Sequence, residues 1–495
     1  MLHFKNTVMK NNTILSILVL TTIFLFVGCD DFLEQAPETF QTPQNFFETE
    51  DQINEAIAGI YNTNRGLMNS EHWRFGENRS DNSSFQFNPA DRGGISNEEV
   101  DLFLMLSANP NLGDYWNKSY SGISRANFAL ENIDGVTFIN EAIKEVRRGE
   151  ILFLRSWFYF NLAQLFGDVP FVTSAGDSPD EILSDEFLER VPVGQVYDNI
   201  LADIQEAIDL LPNQNNTESG RATRGAALML KAKMHMALQE FQAAEALLEQ
   251  MQSLGYSLQA DYASIFAPDN KNNSEMVFEI QYSFALGQAS NFVSRFVPFN
   301  SGSDILGDSG PAGSRAGQNQ PTQNLIDLYD TDDARFLHNI SFYDDGTTVE
   351  PWMSKFNYGF EDQGLQDVNF PMFRYADAML MLAECYEETG GGDPVPLLLQ
   401  VRARSMPDSS LSTEESSDLE QTIADERRRE LAFENHRWFD LLRTGRAVEV
   451  MTAHGIEQKA EKATVPMEAY TNIRTLLGIP LGQVEEFGFT QNEGW

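Results

Sequence analysis

Two cysteines in 495 residues leave no room for a disulfide framework, and no C-x-x-C spacing is present to hold a structural metal or a redox pair. Histidine is scarce too. The six (His3, His72, His235, His338, His436 and His454) are scattered and never stand at H-x-x-x-H spacing, which removes the zinc-hydrolase signature. There is no G-x-S-x-G nucleophile elbow and no phosphate-cradling glycine loop. Basic residues are few: 34 Lys and Arg stand against 74 Asp and Glu, a formal charge of −40. Residues 1–28 hold two of the lysines and no acid, so the chain beyond them carries −42. Such a charge repels nucleic acid and anionic membrane surfaces. No run of about 20 apolar residues follows residue 28, so a soluble body is expected there. What is plentiful is core material, with 42% of residues apolar and 11% aromatic, which excludes a disordered chain.

The first apolar run spans residues 14–27 behind Lys5 and Lys10. At about 1.5 Å per residue it is too short for a ~30 Å hydrocarbon core, and it fits a secretory signal peptide. It ends in "FLFVGCDDFLEQAP", where Val27-Gly28-Cys29 looks like a bacterial lipobox. Cleavage before Cys29 and acylation of its thiol are expected, followed by a polar tether over 29–50 with Pro37 and Pro43. Cys385, in "MLMLAECYEE", then has no partner and reads as a small buried hydrophobe.

Helical spacing dominates the rest. In "EILFLRSWFYFNLAQLFGDVP", Leu154, Trp157, Phe158, Leu162, Leu165 and Phe166 recur at i, i+3 and i+4, and Gly167 and Pro170 close the segment. Residues 114–134, with Trp116 on the core side, and 194–211 read the same way, whereas 276–280 is a short β-like run. "AALMLKAKMHMALQEFQAAEALLEQMQSLGY" sets Leu228, Ala232, Ala244 and Leu248 at tetratricopeptide-repeat positions, with Met251 where a third small residue is usual. A second unit places Ala383 and Tyr386 suitably, but its GGGD turn breaks the register. The expected architecture is mainly α: a tetratricopeptide-like helical-repeat scaffold, mainly 114–282 and 372–450, with few short strands. Residues 65–113 and 283–371 are rich in Gly, Asn and Ser with interleaved aromatics and read as long, ligand-binding loops.

The cluster "ADERRRELAFENHRWFDLLRTGR" offers carboxylates, arginines and His436, but Glu426–Arg429, Arg437–Asp440 and Asp440–Arg443 are i,i+3 pairs that neutralise one another. It reads as scaffold. Trp73 has a different setting, in a polar stretch beside His72 and Arg74 with Arg79, Asp81 and Asn82 following. An indole stacks on the C–H face of a pyranose while carboxylate, amide and guanidinium groups bond the hydroxyls. Phe292, Phe296 and Phe299 around Arg295 repeat that pattern, and Trp352 is a further candidate platform. The competing reading for each ring is packing into the core.

Taken together, "CDDFLEQAP", "EILFLRSWFYFNLAQLFGDVPF", "GRATRGAALMLKAKMHMAL", "FRYADAMLMLAECYEETG" and "ERRRELAFENHRWFDLLRTG" resemble, in this order, the SusD/RagB-like outer-membrane lipoproteins of Bacteroidota. The closing "GIPLGQVEEFGFTQNEGW" is similar to the family's terminus. The resemblance implies one domain over 51–495 that binds an oligosaccharide or polysaccharide without catalysis or cofactor. It implies a SusC-like TonB-dependent transporter as partner and a lipid anchor in the outer membrane facing outward. Asp30 and Asp31 resemble the acidic signal that exports such lipoproteins to the outer leaflet. Only the Arg79–Asp81–Asn82 segment sits where the family's binding region begins. Alternatives left open are a peptide-capturing relative, a glycoside hydrolase, which needs only two carboxylates and has 74 acidic residues to draw on, and a pure interaction scaffold.

Overall fold

Helix starts follow from side chains able to satisfy the first free backbone N–H groups. In the computed structural model, which describes residues 47–89, 94–176, 184–213, 218–307, 316–407 and 409–495, Thr49 and Gln52 form a reciprocal capping box ahead of α1 (Glu50–Leu67). Asn109 caps α2 (Pro110–Ile133), with Pro110 in the first turn, and Asn140 caps α3 (Glu141–Phe166). Next come α4 (Val193–Leu210), α5 (Arg224–Ala237, capped by Thr223) and α6 (Phe241–Met251). A five-residue α7 (Phe292–Phe296) stands apart, followed by α8 (Tyr375–Thr389) and α9 (Pro394–Ala403). Towards the C-terminus follow α10 (Leu419–Leu431), α11 (Arg437–Arg443) and α12 (Ala447–Glu461). The chain is mainly helical, and Thr49–Trp495 form one compact unit. The expected signal peptide and tether, with Cys29, Asp30 and Asp31, lie outside the described residues.

The helices pack in succession, α1 on α2, α2 on α3, and so on through α6, which packs on α8; α8 then meets α9 and α10. That succession is a helical-repeat scaffold. Its centre is α3, buried on every side from Gly149 to Phe166 except at Gln164. The α2–α3 approach requires a glycine, because a Cβ on Gly122 would lie 2.3 Å from the Phe158 ring. In the α5–α6 pair, Leu228, Ala232, Ala244, Leu248 and Met251 are all buried, as repeat spacing demands. The GGGD segment is itself the turn of the next pair. Gly390 ends α8 at φ +69, and the Asp393 side chain accepts from the Val395 N–H to start α9.

Strands among the described residues form antiparallel pairs. They are β1 (Ser83–Ser84) with β5 (Gln320–Pro321), β2 (Val169–Pro170) with β3 (Arg190–Val191), β4 (Met276–Ile280) with β8 (Phe370–Arg374), and β6 (Ile340–Asp344) with β7 (Val349–Met353). The run at 276–280 is a strand, fully buried. Residues 65–113 differ from expectation. Helix α1 continues to Leu67, wide helical turns follow at Met68–His72 and Arg74–Asn78, and every residue from Glu71 to Gln86 is buried. Polar composition suggested an exposed loop, but these polar groups find partners far along the chain.

Candidate functional site

The two segments expected to bind ligand do meet. Strand β1 pairs with β5, the Asn291 N–H donates to Asn69 Oδ1 at 3.0 Å, and the Trp73 ring lies edge-on to Phe296 at 5.0 Å. Yet the rings seal the junction instead of lining it. Trp73 is 2% exposed, with the Arg74 guanidinium 4.6 Å from its centroid, so it is no open platform. Phe292 and Phe296 are core, Phe292 packing edge-on to Phe356 and Phe370. Trp352 is buried with Val297 and Leu306. Trp116, expected in the core, is 3% exposed.

The polar candidates are structural as well. Arg79 lies over Phe103 and Trp438 and donates to the carbonyls of Val100 and Arg474, and burial pulls its pKa down to about 9. Asp81 is held by Arg437 at 2.8 and 3.0 Å and Arg428 at 3.1 Å. Burial would raise its pKa, but the two guanidinium charges hold it well below the usual carboxylate range. The Asn82 amide donates to Glu77 Oε1 and accepts from Arg428 Nε. Glu77 in turn accepts the Phe433 and Asn435 N–H groups, and burial pushes its carboxyl up to about 7. These residues tie the early segment to the C-terminal helices and touch no accessible surface.

The arginine-rich cluster is indeed an ion-pair network, with one difference. Glu426–Arg429 at 3.4 Å and Asp440–Arg443 at 2.8 Å form as i,i+3 pairs, but Arg437 turns from Asp440 to Asp81. Most partners are tertiary: Arg335 reaches Glu426 and Glu430, and Arg374 reaches Glu275, Glu430 and Glu434. Buried carboxylates need such partners, and spacing within one helix reveals only the local ones.

What stays accessible at the junction is a face of planar polar groups and ring surfaces. Arg295, on α7, is half-buried and, with Phe299, keeps an open side. Phe299 and Asn300, also half-buried, follow it, and Gln86 fixes them: its Oε1 accepts the Phe299 N–H at 3.0 Å and its Nε2 donates to Asn300 Oδ1 at 3.1 Å. Asn300 Nδ2 donates to Asp345 Oδ2 at 2.6 Å. Asp345, in the β6–β7 turn, also accepts the Thr347 and Thr348 N–H groups, and the Thr348 bond foremost keeps its pKa low. The Tyr343 hydroxyl donates to Asp304 Oδ2 at 2.8 Å, a bond that raises the phenol pKa. Sequence reasoning missed Asn300, Asp304, Tyr343 and Asp345. Their signal was the turn-rich "FNSGSD" and "YDDGTT", which mark exposed turns without saying that they converge. Among the described residues, no group of three or more His, Cys, Asp or Glu is arranged to hold a metal ion.

A helical-repeat scaffold with a loop-borne polar and aromatic face is the build of a binding protein. The family described as "Starch-binding associating with outer membrane" matches residues 31–236, and the "SusD family" matches 338–495. The chain belongs to the SusD/RagB family. Among curated relatives, SusD-like protein P25 of Formosa agariphila is 26% identical, covering 87% of this chain and 89% of that protein. SusD-like protein P38 of the same organism is 27% identical over 89% and 93%. Among solved structures, a laminarin binding SusD-like protein superposes with a TM-score of 0.75 at 24% identity, covering 91% of this chain and all of that one. Surface glycan-binding protein A from Bacteroides thetaiotaomicron in complex with laminarihexaose gives 0.71 at 19% identity, over 90% and 99%. These structures share the fold. No helix among the described residues is long and apolar enough to cross a membrane.

Proposed function

We propose that the protein is a cell-surface glycan-binding lipoprotein of the outer membrane that captures an oligosaccharide and delivers it to a SusC-like TonB-dependent transporter. The observation that carries this reading is family membership combined with an accessible face of the right chemistry. The rings of Phe299 and Tyr343 offer C–H stacking, while Asn300, Asp304, Asp345 and Arg295 offer planar donors and acceptors for hydroxyls. The laminarin-binding and laminarihexaose-bound relatives support the same ligand class. Binding requires no catalytic group, and none is assigned. Cys29 carries the lipid anchor, and Asp30 and Asp31 direct export.

Laminarihexaose and other neutral hexasaccharides titrated calorimetrically into the full chain test the reading. Losing one aromatic platform costs ~1–3 kcal/mol for stacked bases, and a sugar ring lies towards the lower end, so Phe299→Ala together with Asn300→Ala is expected to weaken binding about tenfold. Unchanged affinity in that variant would move the glycan site off this face. Absence of any saccharide binding by the wild-type chain would remove the glycan reading.

A further inference from the structure

A concavity of about 360 Å³ lies between α2, the β2 region and the C-terminal residues Gln483 and Phe489. Among the described residues its lining contains no Asp, Glu, Lys, Arg or His, although 22% of the chain is charged. Helix α2 builds the floor and one rim in two adjacent rows. Trp116, Tyr120, Ile123 and Asn127 form the inner row, and Asn117, Ser121 and Ser124, at i, i+4 and i+7, form the outer one. The Trp116 ring lies 5.0 Å from Tyr120 and 6.2 Å from Phe489, so three rings meet at the base.

The inner row is held rigidly. The Tyr120 hydroxyl donates to the Pro170 carbonyl at 2.8 Å, and Asn127 Nδ2 donates to the carbonyls of Val172 and Ser174 while its Oδ1 accepts from Arg155. The outer row is exposed and uncommitted. The side chains of Asn117, Ser121, Ser124 and, across the cleft, half-buried Gln483 make no hydrogen bond within the described residues. Small-molecule sites span ~300–1,000 Å³, mostly apolar with a few convergent polar groups, and this cleft fits that description.

We propose that this cleft is a second binding site, taking one or two ring units of a neutral saccharide. Half-buried Tyr120, backed by the buried rings of Trp116 and Phe489, supplies the open ring surface for C–H faces, and the rim supplies two amides and two hydroxyls for sugar hydroxyls. A charged ligand would find no counter-charge among the described lining residues, and burying an unpaired charge is costly. A hydrocarbon chain or apolar peptide side chain would leave the rim groups desolvated and unpaired. The ligand class rests on the proposed glycan role; the position of the cleft does not.

The test uses the full chain in a detergent without a sugar headgroup. Laminari-, malto-, cello-, manno- and xylo-oligosaccharides are titrated, with oligogalacturonate as the charged comparison. In the Phe299→Ala, Asn300→Ala background a neutral oligosaccharide still binds, and adding Asn117→Asp with Ser121→Asp weakens that residual binding by about tenfold or more. Both substituted positions are exposed, so the melting temperature stays within about 1 °C. Gln483→Ala, on the opposite wall, gives a milder loss of several-fold without adding charge. The proposal is overturned if the background variant binds none of the neutral oligosaccharides, if residual binding ignores both cleft variants, or if oligogalacturonate binds there as well as a neutral chain. If the loop-face pair leaves binding intact and the cleft variants abolish it, the loop-face reading fails and the cleft stands.

Discussion

Asp81→Asn removes one negative charge and almost no volume from between two arginines. In the native chain the carboxylate meets Arg437 Nε at 2.8 Å, Arg437 Nη2 at 3.0 Å and Arg428 Nη2 at 3.1 Å, and the residue is 5% exposed. Removing one partner of a buried ion pair costs ~3–5 kcal/mol, because the remaining charges stay buried without compensation. The amide keeps one acceptor, so about 3 kcal/mol is expected. With an unfolding entropy of ~2.1 cal/mol/K per residue over the roughly 450 residues of the Thr49–Trp495 unit, that lowers Tm by about 3 °C. The pH dependence carries a sign. Asp81 is held below its ordinary pKa in the folded chain by Arg428 and Arg437, against the opposing effect of burial. Its stabilisation is therefore complete above the ordinary carboxylate pKa near ~4 and is lost as pH falls through the lower folded value. Urea unfolding should show the full difference between wild type and variant at pH 7 and a shrinking one below about pH 4. Saccharide affinity should not change. The opposite pattern, a loss of affinity with stability altered by less than ~0.5 kcal/mol, would falsify the assignment of Asp81 as an interior tie and return it to the binding surface.

Trp73→Ala should cost about 3–5 kcal/mol of stability, since it empties a site where the ring is 2% exposed and packed edge-on to Phe296; unchanged urea unfolding would contradict that packing. For the anchor, Cys29→Ala should abolish incorporation of a clickable fatty acid and release the protein from the membrane, because a firm hold needs two or more chains on that residue. Label persisting in the alanine variant would sink the lipobox reading. In the same assay, Asp30→Ala with Asp31→Ala should keep the label but hide the chain from protease added to intact cells, and unchanged protease access would show that the pair is not the export signal.

Much of the scaffold was legible because helix formation and pairing are local. Apolar residues at i, i+3 and i+4 in 150–166 and small residues at 232 and 244 all act within a few turns, so reading them in order recovers α3 and the α5–α6 pair. Burial of the other candidates is a different kind of fact. Asp81 and Arg437 are 356 positions apart and Arg79 and Arg474 are 395 apart, and no short window contains both members of either pair. A stretch of Asn, Ser, Asp and Arg looks solvated because an unpaired polar group pays heavily for leaving water; once distant partners satisfy it, the same stretch becomes interior. By itself, then, the sequence determined the main scaffold helices, the α5–α6 pairing and the family. Tertiary structure alone decided which rings are core, that Arg295 and Phe299 stay at the surface with Tyr343 and Asp345, and that a cleft whose described lining carries no charge opens beside α2. The reason is that exposure is set by what the folded chain places opposite a residue, and a residue's identity does not contain that.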